Sequence, residues 1–488
     1  MGSTTASEGL AAAAGMERRA LYRWRPRWQE CVFLALCFFV LAKLLFLPGF
    51  IGLADNGDFW KICGRVQLSA GEFSGFFQPL HLRGWVYRRP SWTPSSEALL
   101  AVAAAGLERR LGDRATFDIR WLGAFHAALF AGTCYLLLML LRPLCWWLRA
   151  LLSMAALLIF ADVGLVAYFN SFYMDAAALL GGFALVVLAV HLLWRPEVRP
   201  GLLAAFGLAA VLYCMSKPAH SPLGILPAAF AVAIAWRTGR RGVRIAGVAV
   251  AVCVGAGIVR MILGASPSYR VPTQFDVVFY RIANGSKTPA AELREVGLDE
   301  TYVRWAGMKA FETGWPGVDP AWEKQFCART DYNRILRYYI SHPLRTAGFL
   351  WKDLRDEAWK RRPDYLGNFQ RTAGHPPRTL TRDFAWWSTY SSRVLRAFPP
   401  AAALWHGAAL IACPLLAVRV RFGLSRALAW GLVLASALAC GEFFVNCLAD
   451  SVDAGRHLVV FHLYTDATLF LAMVLAASLW SGRTTIHS

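Results

Sequence analysis

The chain has 488 residues, of which 57% are hydrophobic and 17% charged. Soluble domains carry roughly 45–50% apolar residues, so water is not its main solvent. A formal net charge of +20 would suit nucleic acid, but the arginines lie between apolar runs and form no single basic domain. Membrane lipids with anionic headgroups are the expected partner, not nucleic acid.

Residues 1–30 are Ala- and Arg-rich and read as a basic cytoplasmic segment. Cys31 to Leu53 follows as an apolar stretch long enough to cross a bilayer of roughly 30 Å. Gly52-Leu53-Ala54 loosely imitates a signal-peptidase site, yet the apolar run is far longer than a cleavable signal's, so an uncleaved anchor is expected. Six more spans are expected at about Phe117–Leu141, Trp147–Ala167, Ala176–Leu193, Leu202–Met215, Leu223–Trp236 and Val243–Leu263. The fifth and sixth spans of the chain, residues 202–215 and 223–236, are short enough to be a re-entrant pair instead. Three spans close the chain at about Ala397–Val418, Leu424–Leu448 and His457–Trp480, ahead of a cytoplasmic tail at 481–488. The expected fold class is an all-α polytopic membrane protein with about ten transmembrane helices.

Arginine placement sets the orientation, because short cytoplasmic loops hold Lys and Arg while translocated ones avoid them. Arg18, Arg19, Arg23, Arg25 and Arg27 precede the first span, and every second turn is basic: Arg142/Arg149, Arg195/Arg199, Arg237/Arg240/Arg241/Arg244 and Arg419/Arg421/Arg426. Both termini are therefore expected in the cytoplasm, and a bacterial inner membrane is the expected location. The outward parts are the loop 54–116, three short turns, and a segment 265–396 long enough for a largely helical domain. Within it, Asp331 to Arg362 has apolar residues near helical spacing with Pro343 as a break, which predicts two amphipathic helices. No internal repeat or pair of broken helices is visible, which weighs against a secondary transporter.

Eleven cysteines include no C-x-x-C pair, and most fall in apolar runs. Cys63 and Cys327 both fall in outward segments, where a bridge is open to them. Asn284-Gly285-Ser286 matches a glycosylation acceptor on the same side. Neither a G-x-S-x-G elbow nor a phosphate-binding glycine loop occurs, so nucleotide-driven chemistry is not expected.

The strongest candidate site follows the first span, where Ala54-Asp55-Asn56-Gly57-Asp58-Phe59 puts two carboxylates three residues apart in a Gly-containing turn. Asp55 or Asp58 can serve as a base toward a hydroxyl or hold a divalent cation, Mg or Mn, the one cofactor the residues suggest. An N-cap followed by a solvated turn is the equal alternative. A second candidate is the turn Tyr168-Phe169-Asn170-Ser171-Phe172-Tyr173-Met174-Asp175, where Tyr168 and Tyr173 can stack on sugar faces and Asn170 and Asp175 can bond hydroxyls. Interfacial belt residues would look the same. Asp162 lies deeper in that span, an intramembrane acid with either a function or a buried partner.

A third group holds Glu442, Asn446, Asp450, Asp453, Arg456, His457, His462 and Asp466. Lys217 is the one Lys or Arg in its outward turn, and with Arg456 or Arg270 it could clamp a lipid-linked phosphate. Snorkelling at the interface is the alternative for these cations. Asp162, His462 and Asp466 would also suit a proton path in a transporter or flippase of lipid-linked glycans.

This arrangement resembles the GT-C class of integral membrane glycosyltransferases, in which acids of the first outward loop serve catalysis and a polyprenyl-phosphate sugar is the donor. More narrowly, the Asp55–Phe59 and Asn170–Tyr173 turns resemble those of WsfD-like bacterial glycan-biosynthesis hexose transferases. The resemblance implies a polyprenyl-phosphate sugar donor and a glycan or lipid-linked acceptor. By position it makes Asp55 or Asp58 the base or metal-holding acid, and Asp175 stands where similar sequences carry Glu. Ten spans is fewer than most GT-C enzymes have.

Overall fold

The structure is a computed structural model that describes residues 27–87, 94–195, 197–420 and 423–484. Arg18, Arg19, Arg23, Arg25, Arg421 and the end of the expected tail lie outside the described residues. The chain is an all-α polytopic membrane protein. Its regular sheet, among the described residues, is one antiparallel pair, β1 (Leu80–Leu82) with β2 (Thr116–Asp118).

The helices in the first half are α1 (Trp28–Leu45), α2 (Trp60–Val66), α3 (Ser96–Leu111), α4 (Arg120–Leu140), α5 (Trp146–Phe160), α6 (Val163–Val166) and α7 (Asp175–Trp194). Then come α8 (Pro200–Cys214), α9 (Ile225–Arg237) and α10 (Arg241–Gly264). The segment before the last spans carries α11 (Pro267–Phe275), α12 (Pro289–Glu295), α13 (Pro320–Arg329), α14 (Tyr332–Ser341), α15 (Pro343–Asp356) and α16 (Trp386–Ala397). The chain closes with α17 (Ala401–Arg419), α18 (Gly423–Ala449), α19 (Ala454–His457) and α20 (Val459–Thr484).

Each expected span overlaps a helix of the structure, the third being split between α5 and α6, but fewer than the ten expected are full crossings by length. Seven described helices are long and apolar enough to cross a membrane: α1, α4, α7, α10, α17, α18 and α20. An eighth crossing forms if α5 and the segment Val163–Asn170, bent by 45°, count together. The bend falls where Asp162 caps α6, its carboxylate accepting from the Gly164 and Ser388 N–H groups at 2.7 and 2.9 Å. α8 and α9, the pair expected to be short, are apolar helices of 15 and 13 residues. The first expected span also ends early, at Leu45: Phe46, Leu47 and Ile51 fold back onto carbonyls of its last turn, and Gly52, Leu53 and Ala54 pair with backbone elsewhere.

α7 is the axis of the bundle: 89% of its apolar window is buried, against 28% for α10 and α17 at the periphery. Small residues let its neighbours approach, as lipid supplies no hydrophobic drive between helices. A Cβ at Gly181 would come within 2.6 Å of the Tyr213 nitrogen in α8, so only glycine fits there. At one end of the bundle, the basic turns meet acids. Arg142 forks onto Glu30 at 2.6 and 2.7 Å, and Arg240 reaches Glu197 at 3.1 Å.

The segment after α10 has its own aromatic core, built on Phe275, Phe279, Trp305, Phe326 and Ile335. α14 and α15 are the two expected amphipathic helices, separated at His342 immediately before Pro343. Tyr339 ties this unit to the end of α18 by donating to the Leu448 carbonyl at 2.9 Å. Residues 367–369 then run back across the first loop, exchanging backbone bonds with Gly52, Ala54 and Phe77. Cys63 and Cys327 are both free thiols, so the bridge open to them is not formed.

Candidate functional site

The first-loop turn folds as it does because Asp55 and Gly57 are where they are. Gly57 takes a φ of +97°, a region that favours glycine. The Asp55 Oδ1 then accepts from the N–H groups of Gly57, Asp58 and Phe59 at 2.8, 2.9 and 3.1 Å, capping the approach to α2. Burial pushes the Asp55 carboxyl up to about 6 while those three bonds pull it down. The turn thereby presents Asp58, whose side chain keeps 25% exposure, instead of Asp55.

Asp58 meets Lys61 Nζ at 2.5 Å and the Arg456 guanidinium at 2.8 Å. Burial opposes its ionisation, but these two cations hold its carboxyl well below the ordinary range. Arg456 is 4% exposed and links three loops. Its Nε donates to Asp453 at 2.7 Å, its second guanidinium arm approaches Asp175 at 3.8 Å, and the group lies 4.9 Å from the centre of the Tyr173 ring. Asp453 adopts φ 61° at the position before α19, where its side chain makes no cap bond and its carboxylate turns to Arg456. The Tyr173 hydroxyl reaches the Ala54 carbonyl at 2.9 Å, fastening the second turn to the first.

Lys217, in the turn between α8 and α9, lies 3.9 Å from Asp175 and 3.7 Å from Asp450. It donates to the His457 Nδ1 at 2.5 Å, and the other ring nitrogen of His457 meets Asp450 at 3.1 Å. Burial and then the neighbouring Lys217 and Arg456 push the His457 pKa far down, so it bridges as a neutral imidazole. Burial likewise pushes Asp450 up to about 6, against the pull of Lys217 and Arg456.

His220 is a site residue the sequence reading passed over. It sits in the turn of Lys217 and faces both oxygens of Glu442 at 2.9 Å, with Asp175 at 3.7 Å on its other side. Burial works against its charge, but Glu442 and Asp175 push its pKa up to about 9. The turn thus holds a second cation, which a count with neutral histidine could not register. Lys61 was also passed over, although a lysine three residues after Asp58 on a short helix is a detectable pairing signal.

Other expected site residues lie differently. Asn170 is a packing residue: its amide donates to the Leu45 and Ile51 carbonyls at 3.0 and 2.8 Å, tying the end of α1 to the second turn. Tyr168 is 1% exposed and its hydroxyl has no partner among the described residues, with its ring 6.1 Å from that of Tyr173. Arg270 is exposed on α11, whose Tyr269 ring covers Lys61 at 5.2 Å. Asn446 supports Glu442 at 2.8 Å. Asp466 is held by Arg361 and by the Trp387 indole at 2.9 and 2.8 Å, while both ring nitrogens of the buried His462 have no hydrogen-bond partner among the described residues. Asp162 thus accepts backbone N–H bonds at the bend and Asp466 is ion-paired with Arg361.

Mg or Mn would need several free oxygen donors. Among the described residues no three His, Cys, Asp or Glu side chains form such a group. Asp55 spends one oxygen on backbone N–H groups, and Asp58 is already balanced by two cations. The donor set does not fit a divalent ion at this turn.

Four sequence-distant segments thus build one buried, charged cluster at one end of a helical membrane bundle. The class these features define is a polytopic membrane protein with a polar, charged cluster at one end of its helical bundle. The chain belongs to the family described as the YfdI N-terminal transmembrane domain, whose model matches residues 20–486. No curated protein matches it. A solved structure similar in part is the archaeal oligosaccharyltransferase AglB from Archaeoglobus fulgidus, in complex with an inhibitory peptide and a dolichol-phosphate. The identity is 10% and the TM-score 0.38, over 91% of this chain and 50% of that one. The chain therefore spans half the length of that protein.

Proposed function

We propose that the chain is a membrane glycosyltransferase of the GT-C class, moving a hexose from a polyprenyl-phosphate donor to a glycan or lipid-linked acceptor. The WsfD-like hexose transferases are the nearer resemblance within that class. Its site faces outward from a bacterial inner membrane, opposite the arginine-rich turns. The observation that carries this reading is the convergence of Asp58, Asp175, Lys217, Asp450 and Arg456 within one network of contacts.

Such a network suits transfer from a phosphate leaving group. Lys217 and Arg456 receive the donor phosphate, which competes with Asp58 for the guanidinium. As Arg456 turns to the phosphate, the Asp58 carboxyl loses one of the two cations that hold its pKa down, with Lys61 still beside it, and its pKa rises, which favours taking up a proton. The acceptor oxygen attacks the anomeric carbon, the bond from that carbon to the phosphate oxygen breaks, and the hydroxyl proton passes to Asp58. Polyprenyl phosphate leaves with the bonding pair, and a single displacement inverts the anomeric centre. Asp55 acts by holding the turn that aims Asp58.

The test is a transfer assay with radiolabelled polyprenyl-phosphate hexose in membranes with and without the chain. Chain-dependent label in a glycan, with inverted anomeric configuration, is expected. No chain-dependent loss of label from the donor would contradict the reading.

A further inference from the structure

Beside the charged cluster, a cavity of about 490 Å³ opens between the aromatic-cored unit and the loop 451–456. That volume lies in the usual range for small-ligand sites. One wall is a π-helix at Asp276–Ile282, seen in the Ala283 N–H bond to the Val278 carbonyl at 2.9 Å, and it contributes Tyr280 and Arg281. Extended π-helical turns are rare and cluster at functional sites. Tyr280, Phe349 and Tyr365 provide aromatic surface.

The cavity lining carries five basic and five acidic side chains, so its charge cancels, and three pairs of them are in contact. Arg281 meets Asp353 at 2.8 Å, Lys360 meets Glu357 at 2.8 Å, and Arg456 meets Asp453 at 2.7 Å. A lining with balanced donors and acceptors and little net field is a poor phosphate site but suits a neutral ligand rich in hydroxyls, which needs both kinds of partner. Ser451 supports this: it is 6% exposed, lines the cavity, and its hydroxyl has no hydrogen-bond partner among the described residues. Arg456 is the shared wall, since it borders the cavity and also bonds Asp58 at 2.8 Å.

We propose that this cavity binds the acceptor as a neutral, hydroxyl-rich glycan, so that its reacting hydroxyl reaches Asp58 past Arg456. The assignment rests on the glycosyl-transfer reading above. It makes Tyr280 and Asp356 acceptor-specificity residues, neither of which touches the cations that would meet the donor phosphate.

The experiment uses the full chain in detergent, with radiolabelled polyprenyl-phosphate hexose as donor and a panel of neutral hexose and deoxyhexose trisaccharides as acceptors, set against a uronic acid trisaccharide. A neutral trisaccharide is expected to accept label, and Tyr280→Ala and Asp356→Asn are each expected to raise its KM about tenfold while the donor KM stays within about twofold. Asp356 is 37% exposed, so its variant keeps the test informative if Tyr280→Ala does not fold. An unchanged acceptor KM in a folded variant, or preference for the uronic acid trisaccharide, would overturn the cavity assignment. Absence of all donor turnover by the unaltered chain, release of hexose to water included, would instead strike the transfer reading beneath it.

Discussion

Arg456 donates to the Asp58 carboxylate at 2.8 Å although 398 positions of sequence separate the two. The same guanidinium holds Asp453 and stands over Tyr173, so one side chain joins the first loop, the second turn and the last loop. Arg456→Ala would leave neighbouring acids without their shared counter-ion, a loss that costs about 3–5 kcal/mol when a buried pair is broken. Transfer activity is expected to fall at least about 100-fold, and Arg456→Lys is expected to restore little of it, because an ammonium cannot fork between Asp58 and Asp453. Activity of purified Arg456→Lys within a few-fold of the unaltered chain would remove the bridging role.

His220 gives the protein a dependence on alkaline pH. Its folded pKa of about 9 lies above the ordinary 6.5, so the folded state binds the proton more tightly than the unfolded one. The stability it contributes is fully present below about 6.5 and is lost as pH rises through about 9. The size is on the order of 3 kcal/mol, from roughly 1.4 kcal/mol per unit. Thermal unfolding in detergent should move to lower temperature between pH 6.5 and 9.5, and His220→Gln should flatten that dependence. Equal slopes for the two proteins would contradict the assignment of the charge to His220.

Glu30 and Arg142 form a buried fork at the opposite end of the bundle, far from the proposed chemistry. Arg142→Ala is expected to destabilise by about 3–5 kcal/mol, since it strands the Glu30 carboxylate. Glu30→Gln with Arg142→Met, which removes both charges, should recover most of that loss. A thermal-shift series on the two proteins checks this, with the transfer KM values expected to stay constant.

Much of the bundle was legible in the residues because apolar run length and arginine alternation are local signals. Arg142 and Glu30, and Arg240 and Glu197, do pair at the end where the basic turns gather. What was not legible depends on tertiary contact. The sequence offers Asp55 and Asp58 as equivalent carboxylates, and only the three N–H bonds to Asp55 separate a cap from a site-facing acid. Asn170 looks like a sugar ligand in a turn of aromatics, yet it bonds carbonyls 125 and 119 residues away. His220 escaped notice because its charge comes from Glu442, 222 positions on. The 45° bend before α6 also has no proline to announce it; the bonds from Gly164 and Ser388 to Asp162 accompany it.

The central claim, that Asp58 takes the acceptor proton while Asp55 shapes the turn, is tested most directly by single-turnover transfer with Asp58→Asn. The predicted result is a fall in the transfer rate of about 100- to 10,000-fold, with polyprenyl-phosphate hexose still bound. Asp55→Ala, which removes the oxygen that accepts the three N–H bonds, should instead lower stability by about 1 kcal/mol, and lose activity only in proportion to the protein unfolded. A transfer rate for Asp58→Asn equal to that of the unaltered chain, at equal folded protein, would contradict the account.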